Sequence, residues 1–430
     1  MGDSSPMKMG DQVRAIGVGM LGYAFMGKAH ANAYRTLSYM TWPPPLNPEL
    51  VTIAGRDPGA VGEAAARYGF AEAVTNWEAV VSDPRVGLFD NCGPNSLHAE
   101  PTLAAARAGK HVLCEKPLGR DAPESFEVWR GVAATGVVHM CAFNYRFVPA
   151  VRLAREVITG GRLGVIRHFR ARYLQSWGVD EALMTWRFDR VQAGSGALGD
   201  LGAHIVDLAR YLVGEISSVS GTVRTFISER AGHAVDVDDA FAASIEFEDG
   251  AVGTLEASRL CVGRLNHLVF EVNGSLGSVA FDLERLNELR VSTTGGAEVG
   301  FQTVNVTDPR HPLMEYWWPA GHIIGYEHTF VHEIHHLLSA IQTDGHVGPH
   351  GADFEDGYRA AEVCDAVSRS SRSGHREAGA TVADGVASSS CITRLASSTP
   401  YSRRPTRAPR GRRDPDPPSR WPRRPHQHES

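Results

Sequence analysis

The sequence predicts an α/β fold: an N-terminal doubly wound parallel sheet, then an α+β domain with a large, open, mostly antiparallel sheet. Three observations carry this. Strand and helix patterns alternate from residue 13 to residue 142, a G-x-G-x-x-G run opens the first helix, and past Asn144 closely spaced strands are separated by turn signals.

The alternation reads in order. Residues 13–18 form a short buried strand, and Gly17, Gly19 and Gly22 place G-x-G-x-x-G at the mouth of a helix running to Leu37. In that context the first glycine permits a tight turn, the second lets backbone approach a pyrophosphate, and the third lets helix and strand pack closely. Strands at 50–54, 86–91, 111–114 and 137–142 alternate with helices at 59–68, 77–81, 96–108 and 122–134. A helix at 149–158 leads to a strand at 166–174, a helical region to Leu212, and strands at 218–227, 240–247, 251–258, 267–272 and 278–281. Glu248-Asp249-Gly250 and Asn273-Gly274-Ser275 mark turns between them. Helices at 326–341 and 354–371 close the body, giving domains at 11–144 and 145–372.

The chain has 430 residues, 43% hydrophobic and 21% charged, enough for two or three domains with real cores. Residues 375–430 hold eleven arginines against five acids, so residues 1–374 hold 32 basic against 44 acidic side chains, a net of −12. An acidic body offers no electrostatic footprint for nucleic acid or an anionic membrane. Nothing reads as a membrane span or signal peptide, so a cytoplasmic protein is expected. From Pro400 onward the tail carries eight prolines and nine arginines and is expected to be disordered. A phosphate- or RNA-binding arm is one reading; a shifted reading frame, which would change composition this abruptly, is the preferred one. The six cysteines (Cys92, Cys114, Cys141, Cys261, Cys364, Cys391) stand singly, which suits free thiols rather than a zinc cage or disulfides.

Only Lys8, Lys28, Lys110 and Lys116 stand beside 39 arginines. Arginine cannot give up its proton, so a surviving lysine draws interest where proton chemistry is needed. Lys116, in Glu115-Lys116-Pro117, falls at the carboxyl end of a parallel strand, where such sheets bind ligands. Its ammonium there stabilises charge developing on a substrate oxygen. After the second strand, Gly55 leaves room, Arg56 suits a 2′-phosphate or adenine, and Asp57 suits a ribose, a slight lean to NADP over NAD. Farther on, Asp200, His204 and Asp207 at i, i+4 and i+7 place two carboxylates and an imidazole on one helical stripe beside the small residues Gly199 and Ala203. His204 suits a general base, with Asp200 orienting it or touching the same substrate. His332-Glu333-Ile334-His335-His336 formally matches H-E-x-x-H, so a zinc hydrolase using His332, Glu333 and His336 is a remote alternative. The extended peptidase pattern fails at Ser339 and Gln342, and no metal is expected.

Gly17-x-Gly19-x-x-Gly22, Cys114-Glu115-Lys116-Pro117 and Gly199-Asp200-x-Gly202-x-His204-x-x-Asp207 together resemble the Gfo/Idh/MocA oxidoreductase family over residues 11–372. Residues 138–146 and 173–177 are similar to its anhydrosugar- and inositol-oxidising members. The resemblance implies hydride transfer between NAD or NADP and a secondary hydroxyl of a sugar, anhydrosugar or cyclitol, in a homo-oligomer. It implies catalytic roles for Lys116, Asp200 and His204. Cofactor contacts are expected at Gly17, Gly19, Leu21, Gly22, Arg56, Asp57, Pro94, Asn95, His98 and Glu115, and substrate contacts at Asn144, Tyr145, Arg146, Gln175 and Trp177. A dinucleotide-binding sugar or redox sensor without turnover is the alternative, which the intact lysine and histidine disfavour.

Overall fold

The computed structural model describes residues 13–295 and 299–379. Its first half runs β1 (Ala15–Leu21), α1 (Phe25–Met40), β2 (Asn47–Ala54), α2 (Pro58–Tyr68), β3 (Glu72–Val74), α3 (Trp77–Ser82), β4 (Leu88–Asn91), α4 (Ala99–Arg107), β5 (His111–Cys114), α5 (Ala122–Ala133) and β6 (His139–Cys141). The six strands pair in parallel in the order β3-β2-β1-β4-β5-β6. All four residues of β4 are buried, as expected for a strand covered on both faces by helices. The order reverses between β1 and β4, and the crevice at that switch is where doubly wound sheets bind ligands.

The second half runs α6 (Pro149–Thr159), β7 (Ile166–Leu174), α7 (Arg190–Ala193), α8 (Ala203–Leu212), β8 (Ile216–Arg224), β9 (Glu229–Arg230), β10 (His233–Ala234), β11 (Ala240–Phe247), β12 (Val252–Ser258), β13 (His267–Gly274), β14 (Gly277–Asp282), β15 (Glu288–Thr293), β16 (Gln302–Asn305), α9 (Glu327–Gln342), α10 (Phe354–Ser373) and β17 (Glu377–Ala378). Strands β9 and β10 make a separate two-stranded ribbon. The other nine pair as β16-β15-β14-β13-β7-β12-β11-β8-β17, antiparallel except for β7 and β12. Along β11 and β12 burial alternates residue by residue, so one face carries apolar side chains and the other polar ones. The apolar face, with Phe241, Ile245 and Leu255, shares a core with Ile205 and Val206 of α8 and Val363 and Val367 of α10. Helix α9 instead sends Phe330, Ile334, Leu337 and Leu338 into the core of β1 and α1. Truncating a fully buried side chain such as Phe330 to alanine costs about 3–5 kcal/mol.

The predicted α/β class and both sheets are present. Several details differ. Strand β1 runs through Leu21, so Gly17 and Gly19 lie inside it and the turn begins only at Gly22. The helical region before Leu212 resolves into short turns, α7, a π-helical turn at Leu198–Gly202 and α8. Strands β15 and β16, which the sequence pattern did not reveal, extend the large sheet. The tail expected from residue 375 is ordered at its start: α10 ends on left-handed Gly374, and β17 then pairs with β8. The rest of that tail, with Cys391, lies outside the described residues. Among the described cysteines, Cys92, Cys114, Cys141 and Cys364 are buried and Cys261 is half-buried, all as free thiols. Among the described residues no helix is long and apolar enough to cross a membrane.

Two glycines test this packing with opposite signs. A Cβ on Gly27 of α1 would lie 2.2 Å from the Gly22 carbonyl oxygen, whereas one on Gly62 of α2 meets nothing within 4 Å. Gly27→Ala should therefore destabilise the protein by about 1–3 kcal/mol. Gly62→Ala should stabilise it by about 0.5–1 kcal/mol. Urea unfolding measures both; equal effects would contradict the packing.

Candidate active site

The carboxyl ends of the parallel strands open into a cleft of about 790 Å³. It is lined by Leu21, Gly22 and Ala24 after β1, Gly55 and Arg56 after β2, and Cys92, Pro94, Asn95 and His98 after β4. Glu115 and Lys116 follow β5, and Asn144 and Tyr145 follow β6. The opposite wall comes from the second half: Tyr173, Gln175, Trp177, Thr185, Arg187, Asp200, His204, Arg259 and Tyr326. Asn95 Nδ2 donates to the Ala193 carbonyl at 2.9 Å, and Ser96 Oγ to Gln192 Oε1 at 2.8 Å, so the two walls are bonded across the cleft.

The three predicted catalytic residues converge here. Lys116 Nζ donates to Asp200 Oδ1 at 3.1 Å and to the Asp200 main-chain oxygen at 3.0 Å. Asp200 Oδ2 accepts from Arg259 Nη2 at 2.9 Å. Burial opposes the carboxylate's charge, but Lys116, Arg259 and Arg187 outweigh it and hold Asp200 well below the ordinary carboxyl range. His204 packs against Phe143, Tyr145 and Tyr173, with ring centroids 4.7 Å from Tyr145. Its Nδ1 is buried with no hydrogen-bond partner among the described residues. Burial, and then Lys116, push the imidazole well below its usual range against the pull of Asp200, so at neutral pH the ring is neutral and able to accept a proton. Asp238 sets this segment in place: its carboxylate accepts from the main-chain N–H of Gly196 and of Leu198, each at 2.7 Å, just ahead of the π turn.

The predicted stripe ends at His204. One helical turn later Asp207 faces away from the cleft, fully buried against Arg146, whose Nη2 donates to it at 2.6 Å. Arg146 thereby also departs from its predicted substrate role. Residues 144–147 form a 3₁₀ turn, in which successive side chains diverge by a third of a revolution. Asn144 and Tyr145 face the cleft, whereas Arg146 turns to Asp207 and Asp356. Gln175 and Trp177 line the cleft and are linked, Trp177 Nε1 donating to Gln175 Oε1 at 2.7 Å. Gln175 Nε2 in turn donates to Asn266, which also accepts from Tyr173, itself 2.7 Å from the Tyr145 hydroxyl. Asn266, Tyr326, Arg187 and Arg259 escaped sequence reasoning because each stands alone in its segment, with no spacing pattern to flag it; Tyr173 lies in the resembling segment 173–177 but was not among the expected substrate contacts.

The nucleotide end needs more correction. Gly17 and Gly19 do not reach the cleft; a Cβ on them would strike the Arg85 carbonyl and Val80 across the sheet's side of β1. The turn glycine is Gly22, at φ 95°, where a Cβ would come within 2.5 Å of the Cys92 carbonyl. Close helix packing falls to Gly27, so the working pattern is Gly22-x-Ala24-x-x-Gly27, five residues later than predicted. The unbroken apolar character of residues 18–21 was the available signal. Helix α1 has no side-chain cap at Ala24 and no acid in its first turn, leaving its first N–H groups for an anion. In contrast, Asp57 is spent on capping α2, accepting from Ala60 N at 2.7 Å, and is not among the lining residues. Gly55 does not leave open room: a Cβ there would lie 2.1 Å from the Tyr23 ring. Arg56 does line the cleft.

Glu115 and His98 line the cleft but also brace it. The His98 ring nitrogens lie 2.6 and 3.0 Å from the Pro117 and Gly93 carbonyls, tying the loops after β4 and β5 together. Glu115 Oε2 accepts the Lys116 N–H at 3.0 Å, and Oε1 lies 3.2 Å from Nε2 of His30. His30 Nδ1 sits 3.0 Å from Asp90. Burial disfavours charge on that ring, yet Asp90 outweighs it and holds His30 well above the ordinary range.

The zinc-hydrolase alternative finds no site. His332 Nδ1 lies 2.9 Å from the Phe147 carbonyl and its Nε2 accepts from Trp317, while His336 Nε2 lies 2.6 Å from the Val347 carbonyl. Glu333 is fully buried and pushed well above the ordinary carboxyl range by that burial, His30 opposing. Among the described residues, the groups close enough to hold a metal are His30–Asp90–Cys92 and His267–Asp282–Glu284, neither of which includes these three.

With the geometry in place, the comparisons define the class. The model described as the oxidoreductase family NAD-binding Rossmann fold matches residues 16–143, and that of the GFO/IDH/MocA C-terminal domain matches residues 151–280. The chain belongs to the Gfo/Idh/MocA family of oxidoreductases. Among its relatives, levoglucosan dehydrogenase of Pseudarthrobacter phenanthrenivorans is 42% identical over 374 residues, spanning 82% of this chain and 95% of that protein. Inositol 2-dehydrogenase of Rhizobium meliloti is 27% identical, spanning 82% and 96%. A solved levoglucosan dehydrogenase in complex with NADH and levoglucosan superposes with a TM-score of 0.82 at 43% identity, covering 85% of this chain and 99% of that one.

Burial of neutral histidines has a measurable signature. Burial holds His332 at about 3, against 6.5 for a free imidazole. The unfolded chain therefore binds the extra proton below pH 6.5, and the stability tied to this residue falls as pH falls. In His332→Gln that dependence disappears, so the stability gap between wild type and variant should shrink by about 1.4 kcal/mol per pH unit below 6.5. Urea unfolding from pH 7 to pH 5 reads it; parallel curves would contradict the assignment.

Proposed function

We propose that this protein is an NAD-dependent dehydrogenase that oxidises a secondary hydroxyl of a sugar, anhydrosugar or cyclitol to the ketone. One observation carries the reading: Lys116, Asp200 and a neutral His204 meet in the same cleft as the Gly22 turn and the uncapped end of α1. The dinucleotide fits that end, since a Cβ at Gly22 would fill the cradle and the free N–H groups of α1 suit its pyrophosphate. When bound, the nicotinamide supplies a hydride acceptor at C4.

The chain's residues do the rest. The neutral imidazole of His204 is placed to take the hydroxyl proton as the carbinol carbon gives up its hydride and the C=O bond forms, with a bound nicotinamide as the acceptor the cleft would hold. The Lys116 ammonium stabilises negative charge on the substrate oxygen, with Asp200 orienting it. Tyr145, Gln175 and Trp177, joined through Tyr173 and Asn266, form a hydrogen-bonded wall suited to ring hydroxyls, with aromatic faces for the ring's C–H surface. The similarity to a levoglucosan dehydrogenase favours a bicyclic anhydrosugar within this class. NAD is the cofactor assigned; Arg56 is the residue that would admit NADP. The polar face of the nine-stranded sheet, with Arg172, Glu256, Glu271 and Arg290 around a broad concavity, supports a homo-oligomer.

Purified protein mixed with NAD and levoglucosan, myo-inositol or free aldoses should form reduced nicotinamide with at least one of them. Lys116→Met and His204→Ala should each lower kcat by about 100-fold or more; near wild-type turnover in either would refute its role. Arg56→Ala should lower kcat/KM for NADP about tenfold relative to NAD. Asp57→Ala should leave that ratio unchanged and cost about 1 kcal/mol of stability as a lost helix cap.

A further inference from the structure

Arg259 directly follows β12, with 1% of its surface exposed, on the opposite side of Asp200 from Lys116. Its Nη2 donates to Asp200 Oδ2 at 2.9 Å while Lys116 Nζ donates to Oδ1 at 3.1 Å, so each carboxylate oxygen holds one cation. Its Nη1 donates to the Arg187 carbonyl at 3.2 Å. Its guanidinium lies over the Trp177 ring at 4.9 Å and the Phe188 ring at 5.8 Å. A planar, permanently charged and weakly hydrated fork can be stacked on aromatic rings and still meet a carboxylate; a lysine cannot do both.

We propose that Arg259 is a positioning residue that takes up half the charge of Asp200 and so leaves Lys116 loosely enough held to meet the substrate oxygen. The inference rests on the dehydrogenase reading above. A carboxylate with a single cation grips it with its whole charge, and between two largely buried side chains that grip is strong. With Arg259 on Oδ2, the Lys116 ammonium shares the charge and keeps N–H donors for a ligand. The other charged groups facing the pair are few. Arg187 adds a further positive charge near Asp200, and His204 is neutral. Glu115 beside Lys116 turns its carboxylate to His30 and to the Lys116 main-chain N–H. The Tyr145 and Tyr173 hydroxyls are un-ionised, burial holding both above their ordinary range. Trp177, on the substrate wall, rests on the same guanidinium, so the wall and the catalytic carboxylate are fixed by one side chain.

The scarcity of lysine makes a test possible without substrate. The full chain is acetylated with limiting acetic anhydride at pH 8, and labelling of Lys116 is read by mass spectrometry against Lys28 in the same molecule. In Arg259→Gln, Lys116 labelling relative to Lys28 should fall about tenfold, the whole Asp200 charge now gripping it. In Arg259→Lys, which keeps a cation, the ratio should stay within about twofold of wild type. Arg259→Met, whose stem still packs on Trp177 and Phe188, serves the same reading if the glutamine variant does not fold. With the polyol that wild type oxidises, the alkaline limb of kcat/KM, where the Lys116 ammonium is lost, should move up by about one pH unit in Arg259→Gln and not in Arg259→Lys. A merely structural arginine would lower the melting temperature and leave the labelling ratio and the alkaline limb in place, which would overturn the proposal. Failure of the wild type to oxidise any polyol would refute the dehydrogenase reading, while the labelling ratio would still judge Arg259.

Discussion

Lys116 and Asp200 reach each other from two different sheets, and everything the cleft does depends on that contact. The lysine leaves the end of β5, a strand of the parallel sheet; the aspartate sits on the π turn that opens α8, against the large antiparallel sheet. Neither sheet alone holds a polarising cation, a fixed carboxylate and a neutral imidazole together. The Gly22 turn and Lys116 come from the first half and Asp200 and His204 from the second, and the ion pair is where the two meet.

Keeping charge in such a place is costly unless every charge is answered. The structure answers them in tiers. Asp200 has Lys116 and Arg259, while behind it Arg146 is shared by Asp207 and Asp356, and Arg210 by Asp356 and Glu215. This second network lies under α8 and fixes the helix that carries His204. On the other side Asp90, His30 and Glu115 form a buried line ending at the Lys116 main chain. Removing one member of such a line strands its partner in a dry interior, so these residues hold the geometry of the loop that carries Lys116.

Much of this was legible in the sequence. The strand and helix alternation gave the doubly wound half, and Lys116, Asp200 and His204 stood out because proton chemistry needs their side chains at strand ends and on one helical face. What was not legible has physical causes. Spacing cannot tell two overlapping glycine patterns apart, and only the real end of β1 at Leu21 shows that Gly22 and Gly27, not Gly17 and Gly19, shape the turn. A 3₁₀ turn that the sequence pattern did not reveal carries residues 144–147 and rotates Arg146 out of the cleft. Asp57 looked like a ribose ligand because helix caps and ribose ligands are drawn from the same short polar residues. Arg259 left no trace in the pattern, since a lone arginine after a strand looks like any surface cation.

The central claim is that hydride passes directly from a carbinol carbon to the nicotinamide at this cleft. The most direct measurement is to oxidise a polyol deuterated at the reacting carbon and locate the label in the recovered cofactor. The account predicts one deuterium at C4 of the reduced nicotinamide, with turnover slowed by the label. Reduced cofactor free of deuterium, with the label released to water, would contradict it.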